Sequence, residues 1–140
     1  MDWGLIFKLA NASVLPGWFL LVFIPNQRIT KLVVHSYFYP ILLGVFYTVL
    51  MINSFGGEGG MDTLENLKVS FQRDDVLVLG WVHYLVFDLF IGAWITRDAK
   101  FHHINHWKIV LPLLLTLFAG PIGLLFYLAI RGFKTKRLTL

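Results

Sequence analysis

At 140 residues the chain has room for one domain, and 57% hydrophobic against 14% charged residues leaves more apolar surface than a soluble fold of that size can bury. Aromatic content of 16% and a mean hydropathy of +0.70 exclude a polar, disordered chain, and the lack of cysteine excludes disulfides, thiolate metal sites and cysteine nucleophiles. The formal charge of +4 is scattered without a basic stripe, so nucleic acid is not the expected partner and the lipid bilayer is.

Four stretches have the ~20-residue length that crosses the hydrocarbon of a bilayer. They cover residues 5–24, 33–55, 76–96 and 109–130. Open sheet edges are not tolerated in lipid, and these runs lack the alternation of barrel strands, so the fold class is all-α. The expectation is an integral membrane bundle of four transmembrane helices in a single domain, 1–140, with neighbours packed antiparallel. Ala10-Asn11-Ala12 resembles a signal cleavage site, but the apolar run before it is short and carries Lys8, so the first segment reads as a retained span. No transit segment is apparent, which makes a bacterial inner membrane the simplest location.

Between the second and third spans, Gly56-Gly57-Glu58-Gly59-Gly60 opens the longest connection and Arg73-Asp74-Asp75 closes it. Met61, Leu64, Leu67 and Phe71 fall on one helical face with Asp62, Glu65 and Arg73 largely opposite, the pattern of a short interfacial helix. A loop with accidental spacing is the alternative. Four spans place both termini on one side with this loop, where Lys68, Arg73, Arg131, Lys134, Lys136 and Arg137 face Arg28, Lys31, Arg97, Lys100 and Lys108 across the membrane. That near balance leaves orientation open, with a lean towards cytoplasmic termini from the basic tail.

An ionisable group at membrane depth is a functional candidate by default. Asp88 lies ~12 Å from the Thr96 end of the third span and shares a stripe with Trp81, Tyr84 and Gly92. Desolvation disfavours its charged form, so Asp88 is expected to be a neutral proton donor, or else a carboxyl that only ties helices together. His83 lies ~140° around the helix from it and ~7.5 Å along, so the two are not a simple same-face pair. Tyr39 and Thr116 are expected near the level of Asp88, and Asn11 near that of His83. In the connection after the third span, His102, His103 and His106 with Asp98 offer imidazole and carboxylate ligands for one metal ion. The plainer reading, an interfacial loop of amphipathic rings beside Trp107, is the one adopted, and no metal is expected. Gly120-Pro121-Ile122-Gly123 in the fourth span marks a kink that either packs a neighbour closely or shapes a cavity.

The run Gly80-Trp81-Val82-His83, then Asp88 to Ala99, resembles the abscisic-acid-deficient-four-like family. So do Pro112 to Thr116, Gly120 to Leu125, Tyr127 and Arg131, with His106 before the last span and Trp18 to Leu21 and Pro25 near the start. The plant members are plastid membrane proteins needed to convert violaxanthin to neoxanthin. The resemblance therefore implies a membrane carotenoid isomerase. Opening a 5,6-epoxide to an allenic alcohol puts a proton on oxygen and removes one from C7, without net redox change, so no cofactor is implied. Asp88 is the expected acid and His83 or His106 the expected base. Trp81, Tyr84, Gly92, Tyr39, Thr116 and Gly120 are the expected substrate contacts. So few helices enclose little volume, which favours a lateral groove or a site between protomers of a homo-oligomer. The alternatives are a carotenoid- or lipid-binding accessory protein without catalysis, and a single-metal enzyme built on the histidine loop.

Overall fold

A computed structural model describes residues 1–36, 38–54 and 56–136. Phe55, the expected end of the second span, and Arg137, counted in the basic tail, lie outside the described residues. The chain is all helical: α1 (Trp3–Phe23), α2 (Arg28–Thr30) running into a π-helical turn (Lys31–His35), α3 (Phe38–Asn53), α4 (Leu64–Phe71), α5 (Asp74–Phe101) and α6 (Trp107–Thr135). Four segments are long and apolar enough to cross a membrane: α1, Arg28–Asn53, α5 and α6.

Local chemistry sets the boundaries. Asp2 caps α1 by accepting from Leu5 N–H at 2.9 Å, and Thr63 caps α4 by accepting from Asn66 N–H at 3.2 Å. The α4 segment is the short helix expected between the second and third spans. Its apolar residues Leu64 and Phe71 remain exposed, as an interfacial helix requires before lipid covers it. Arg73 ties this connection to the end of α3, donating to the Ser54 and Gly56 carbonyls and pairing with Asp75 at 2.7 Å.

The core is the seam between α1 and α5, which run in the same direction. Trp18 and Leu21 pack onto Gly92, where an added Cβ would lie 2.8 Å from the Trp18 ring. Without a hydrophobic drive between helices in lipid, such close approach at a small residue supplies the packing energy. The α3 segment returns antiparallel against α5, its Tyr39 hydroxyl donating to the Ser13 carbonyl of α1 and its Tyr47 ring lying 5.6 Å from His83.

The last helix is not continuous. Ala119 (φ −150°, ψ 44°) and Gly120 (φ 6°, ψ −78°) break α6 into arms 107–118 and 121–135, and the second arm folds back beside the first. Three observations place it there. Tyr127 donates to Asp98 at 2.5 Å, Arg131 lies 3.0 Å from the same carboxylate, and Ile130, Phe133 and Lys134 share a groove with His103, Ile104, Asn105 and Lys108. Proline at the first position of the second arm suits a helix start, since its missing N–H would be unpaired there. At Gly123 the arms meet so closely that a Cβ would overlap Thr116 and the Pro112 carbonyl.

This reversal corrects the expectation that both termini share one side. The described end of α6 lies with the 24–36 and 102–106 connections, opposite the N-terminus. Charge then segregates sharply. The α6 end carries Arg28, Lys31, Arg97, Lys100, Lys108, Arg131, Lys134 and Lys136 against Asp98, whereas the N-terminal end carries Lys8, Lys68 and Arg73 against Asp2, Glu58, Asp62, Glu65, Asp74 and Asp75. The near balance of basic residues read from the sequence came from assigning the basic tail to the wrong end.

Candidate functional site

The break in α6 falls at the level of Asp88. A Cβ added to Gly120 would overlap Asp88 Oδ1 and stand 3.1 Å from Cγ and 3.2 Å from Oδ2, so the carboxyl lies directly against the glycine backbone. Asp88 is 9% exposed, and its Oδ2 is buried with no hydrogen-bond partner among the described residues. Buried polar atoms are normally paired, so a carboxyl oxygen left without a partner at membrane depth marks Asp88 as a candidate functional group. Tyr84, one turn earlier on α5, interacts with the carboxyl and with the Gly120 backbone. Non-helical backbone is tolerated in a membrane only where protein covers it or it lines a cavity. Gly120 is buried, with Asp88 and Tyr84 as its neighbours.

Because the second arm turns back here, α6 leaves the N-terminal half of α5 uncovered. Trp81, 39% exposed, extends the stripe from Asp88 in that direction, its ring 5.4 Å from Tyr84 and 5.7 Å from Phe7. Its indole N–H donates to Asn11 Oδ1 at 3.1 Å, which fixes the ring between α1 and α5. Beyond it, Trp3, Gly4, Phe7, Leu77 and Val78 line an apolar groove of about 430 Å³ that includes Trp81 and ends at Asp74.

Among the expected site residues, the structure brings together Asp88, Tyr84, Gly120 and Trp81. It does not bring the rest to them. Gly92 is covered by Trp18 and Leu21. Tyr39 is bound to the Ser13 carbonyl of α1 and lies against the Gly17–Leu89 contact. Thr116 is fully buried and donates to the Pro112 carbonyl at 2.8 Å. His83 is exposed on another face of α5, stacked between Tyr47 and Phe87. His106 lies 2.8 Å from the Val22 carbonyl at the basic end of α1, roughly 20 Å along α5 from the level of Asp88.

The histidine loop diverges in the same way. His102 Nε2 is 3.0 Å from an Arg131 guanidinium nitrogen and 3.6 Å from Asp98, His106 turns to Val22, and His103 faces the groove beside Lys108. Among the described residues no three His, Asp or Glu side chains are grouped as metal ligands.

Sequence reasoning missed the cluster of Asp98, His102, Tyr127 and Arg131, which pins the second arm to α5. Arg131 is 4% exposed and its carboxylate partner is half-buried. A signal was present: Asp98 and His102, like Tyr127 and Arg131, stand four residues apart and so share a helix face. Only the fold-back makes the two pairs face each other.

Comparison with known proteins gives one family. A family model described as ABA4-like, ABA DEFICIENT 4-like, matches residues 5–127. Protein ABA DEFICIENT 4, chloroplastic, of Arabidopsis thaliana is 29% identical over an alignment 103 residues long that covers 67% of this chain and 47% of that protein. The chain thus spans about half the length of this curated relative. No solved structure matches it.

Proposed function

Because the chain belongs to the ABA DEFICIENT 4-like family, we propose that it is a membrane-embedded carotenoid isomerase in which Asp88 exchanges protons with the end group of a xanthophyll epoxide. The observation that carries this reading is the unpartnered, buried Asp88 oxygen, set against the broken backbone of α6 at the inner end of an aromatic stripe. An acid protected from water at membrane depth suits a substrate that lives in the bilayer.

The polyene lies along Trp81, Phe7 and Trp3, and the oxygenated ring reaches Asp88 and Tyr84. Both proton transfers then fall to one carboxyl. One oxygen protonates the epoxide as a C–O bond opens, and the other takes the C7 proton as the allene forms. The proton count is unchanged, as an isomerisation requires, and the carboxyl is regenerated. This replaces His83 and His106 as the base, since neither stands beside Asp88. Tyr84 holds the carboxyl and steadies the developing alkoxide. General acid–base participation of this kind is worth ~10²–10⁴-fold in rate.

We place the protein in a carotenoid-containing membrane, a plastid membrane as in the relative's name or a bacterial inner membrane. The test is expression in a host that accumulates violaxanthin, with pigments profiled with and without the gene. A new allenic product supports the reading. Bound pigment without conversion would instead favour an accessory carotenoid-binding protein.

A further inference from the structure

We propose that the groove between the two arms of α6 at the basic end is a binding site for the headgroup of an anionic phospholipid. The groove, about 620 Å³, is lined by His103, Ile104 and Asn105 from the connection before α6, by Lys108 from the start of the first arm and by Ile130, Phe133 and Lys134 from the end of the second. Only the fold-back brings the two lysines to one groove, since Lys108 and Lys134 stand at opposite ends of the helix in sequence.

Charge complementarity selects the occupant. Asp98, the one acid at this end among the described residues, is engaged by Arg131 and Tyr127, so it does not neutralise the groove. No acidic side chain among the described residues pairs with Lys108 or Lys134, and two ammonium groups with a histidine and an amide present donors to a phosphate. The apolar half selects a lipid over a soluble anion. Phe133 is 89% exposed and Trp107, beside Lys108, is 82% exposed, so rings that would otherwise meet water lie where acyl chains begin. The asymmetry of the whole molecule points the same way, because a basic end faces the leaflet whose anionic surface attracts juxtamembrane lysines.

Native mass spectrometry of the detergent-purified protein, titrated with phosphatidylglycerol or phosphatidylcholine, tests this. The wild type should retain phosphatidylglycerol in preference to phosphatidylcholine. Lys108→Gln with Lys134→Gln should weaken phosphatidylglycerol about 10- to 30-fold at low salt, the loss expected for two lysines near an anionic surface. Lys108→Arg with Lys134→Arg should keep it, as should Lys8→Gln with Lys68→Gln at the other end. Equal retention of the two lipids, an unchanged glutamine variant, or an equal loss in the Lys8/Lys68 variant would overturn the proposal. Displacement of the lipid by millimolar inorganic phosphate would overturn the assignment to a lipid. None of these readouts depends on carotenoid turnover.

Discussion

Gly120→Ala probes the junction of the break and the acid most finely. The added methyl would overlap Asp88 Oδ1 and stand 3.1 Å from Cγ, about half an ångström or more inside ordinary carbon–carbon contact. Either the carboxyl rotates away or the second arm shifts. Overpacking of a buried site costs ~1–3 kcal/mol, and relief by rotation of a single side chain favours the lower part of that range. Catalysis should suffer more than stability, because a misplacement of about 1 Å at a reacting group costs on the order of 10²-fold. Gly44→Ala is the matched control, since nothing lies within 4 Å of its added Cβ and alanine favours a helix interior. The assay is the melting temperature of each variant in detergent beside the rate of product formation from a purified xanthophyll epoxide. Wild-type activity and melting in Gly120→Ala would refute the contact between this backbone and the carboxyl.

Reporter fusions at the two termini should read opposite sides, with the C-terminal one cytoplasmic or stromal; agreement between them would contradict the fold-back. Arg131→Met takes the cation from Asp98, which keeps Tyr127 and His102, and should destabilise by about 3 kcal/mol, and adding Asp98→Asn should recover part of that loss in thermal melts. His83→Ala removes an exposed side chain whose ring lies beside those of Tyr47 and Phe87, so product formation and melting should change little, within ~0.5 kcal/mol. A drop in its activity comparable to that of an Asp88 variant would restore His83 to the mechanism.

Hydropathy alone located the helices, because each span is a long apolar run with polar punctuation at its ends. Asp88 stood out for the same reason, and its stripe with Trp81 and Tyr84 follows from helical spacing. The partners across helices were not legible. The small Gly92 admits either a neighbouring helix or a substrate, and Trp18 of α1 is what lies against it; a small residue signals close approach without naming what approaches. The fold-back of α6 was hardest. Gly120-Pro121 marks a kink in any reading, but the arms on either side are apolar all round, so periodicity does not separate a kinked span from a hairpin. The decisive information is the buried attraction of Asp98 for Tyr127 and Arg131, which acts between residues far apart in sequence. The His102–His106 run holds three imidazoles close in sequence that diverge in space, with His103 in a left-handed backbone conformation, φ 52°.

In the proposed chemistry, Asp88 moves protons on a carotenoid end group. Asp88→Asn tests it most directly, because the amide keeps the size of the side chain but cannot exchange a proton at that oxygen. Turnover of a defined xanthophyll epoxide in liposomes should fall ~10²–10⁴-fold, while melting temperature and pigment retention stay close to wild type. Full turnover by a well-folded Asp88→Asn protein would contradict the account.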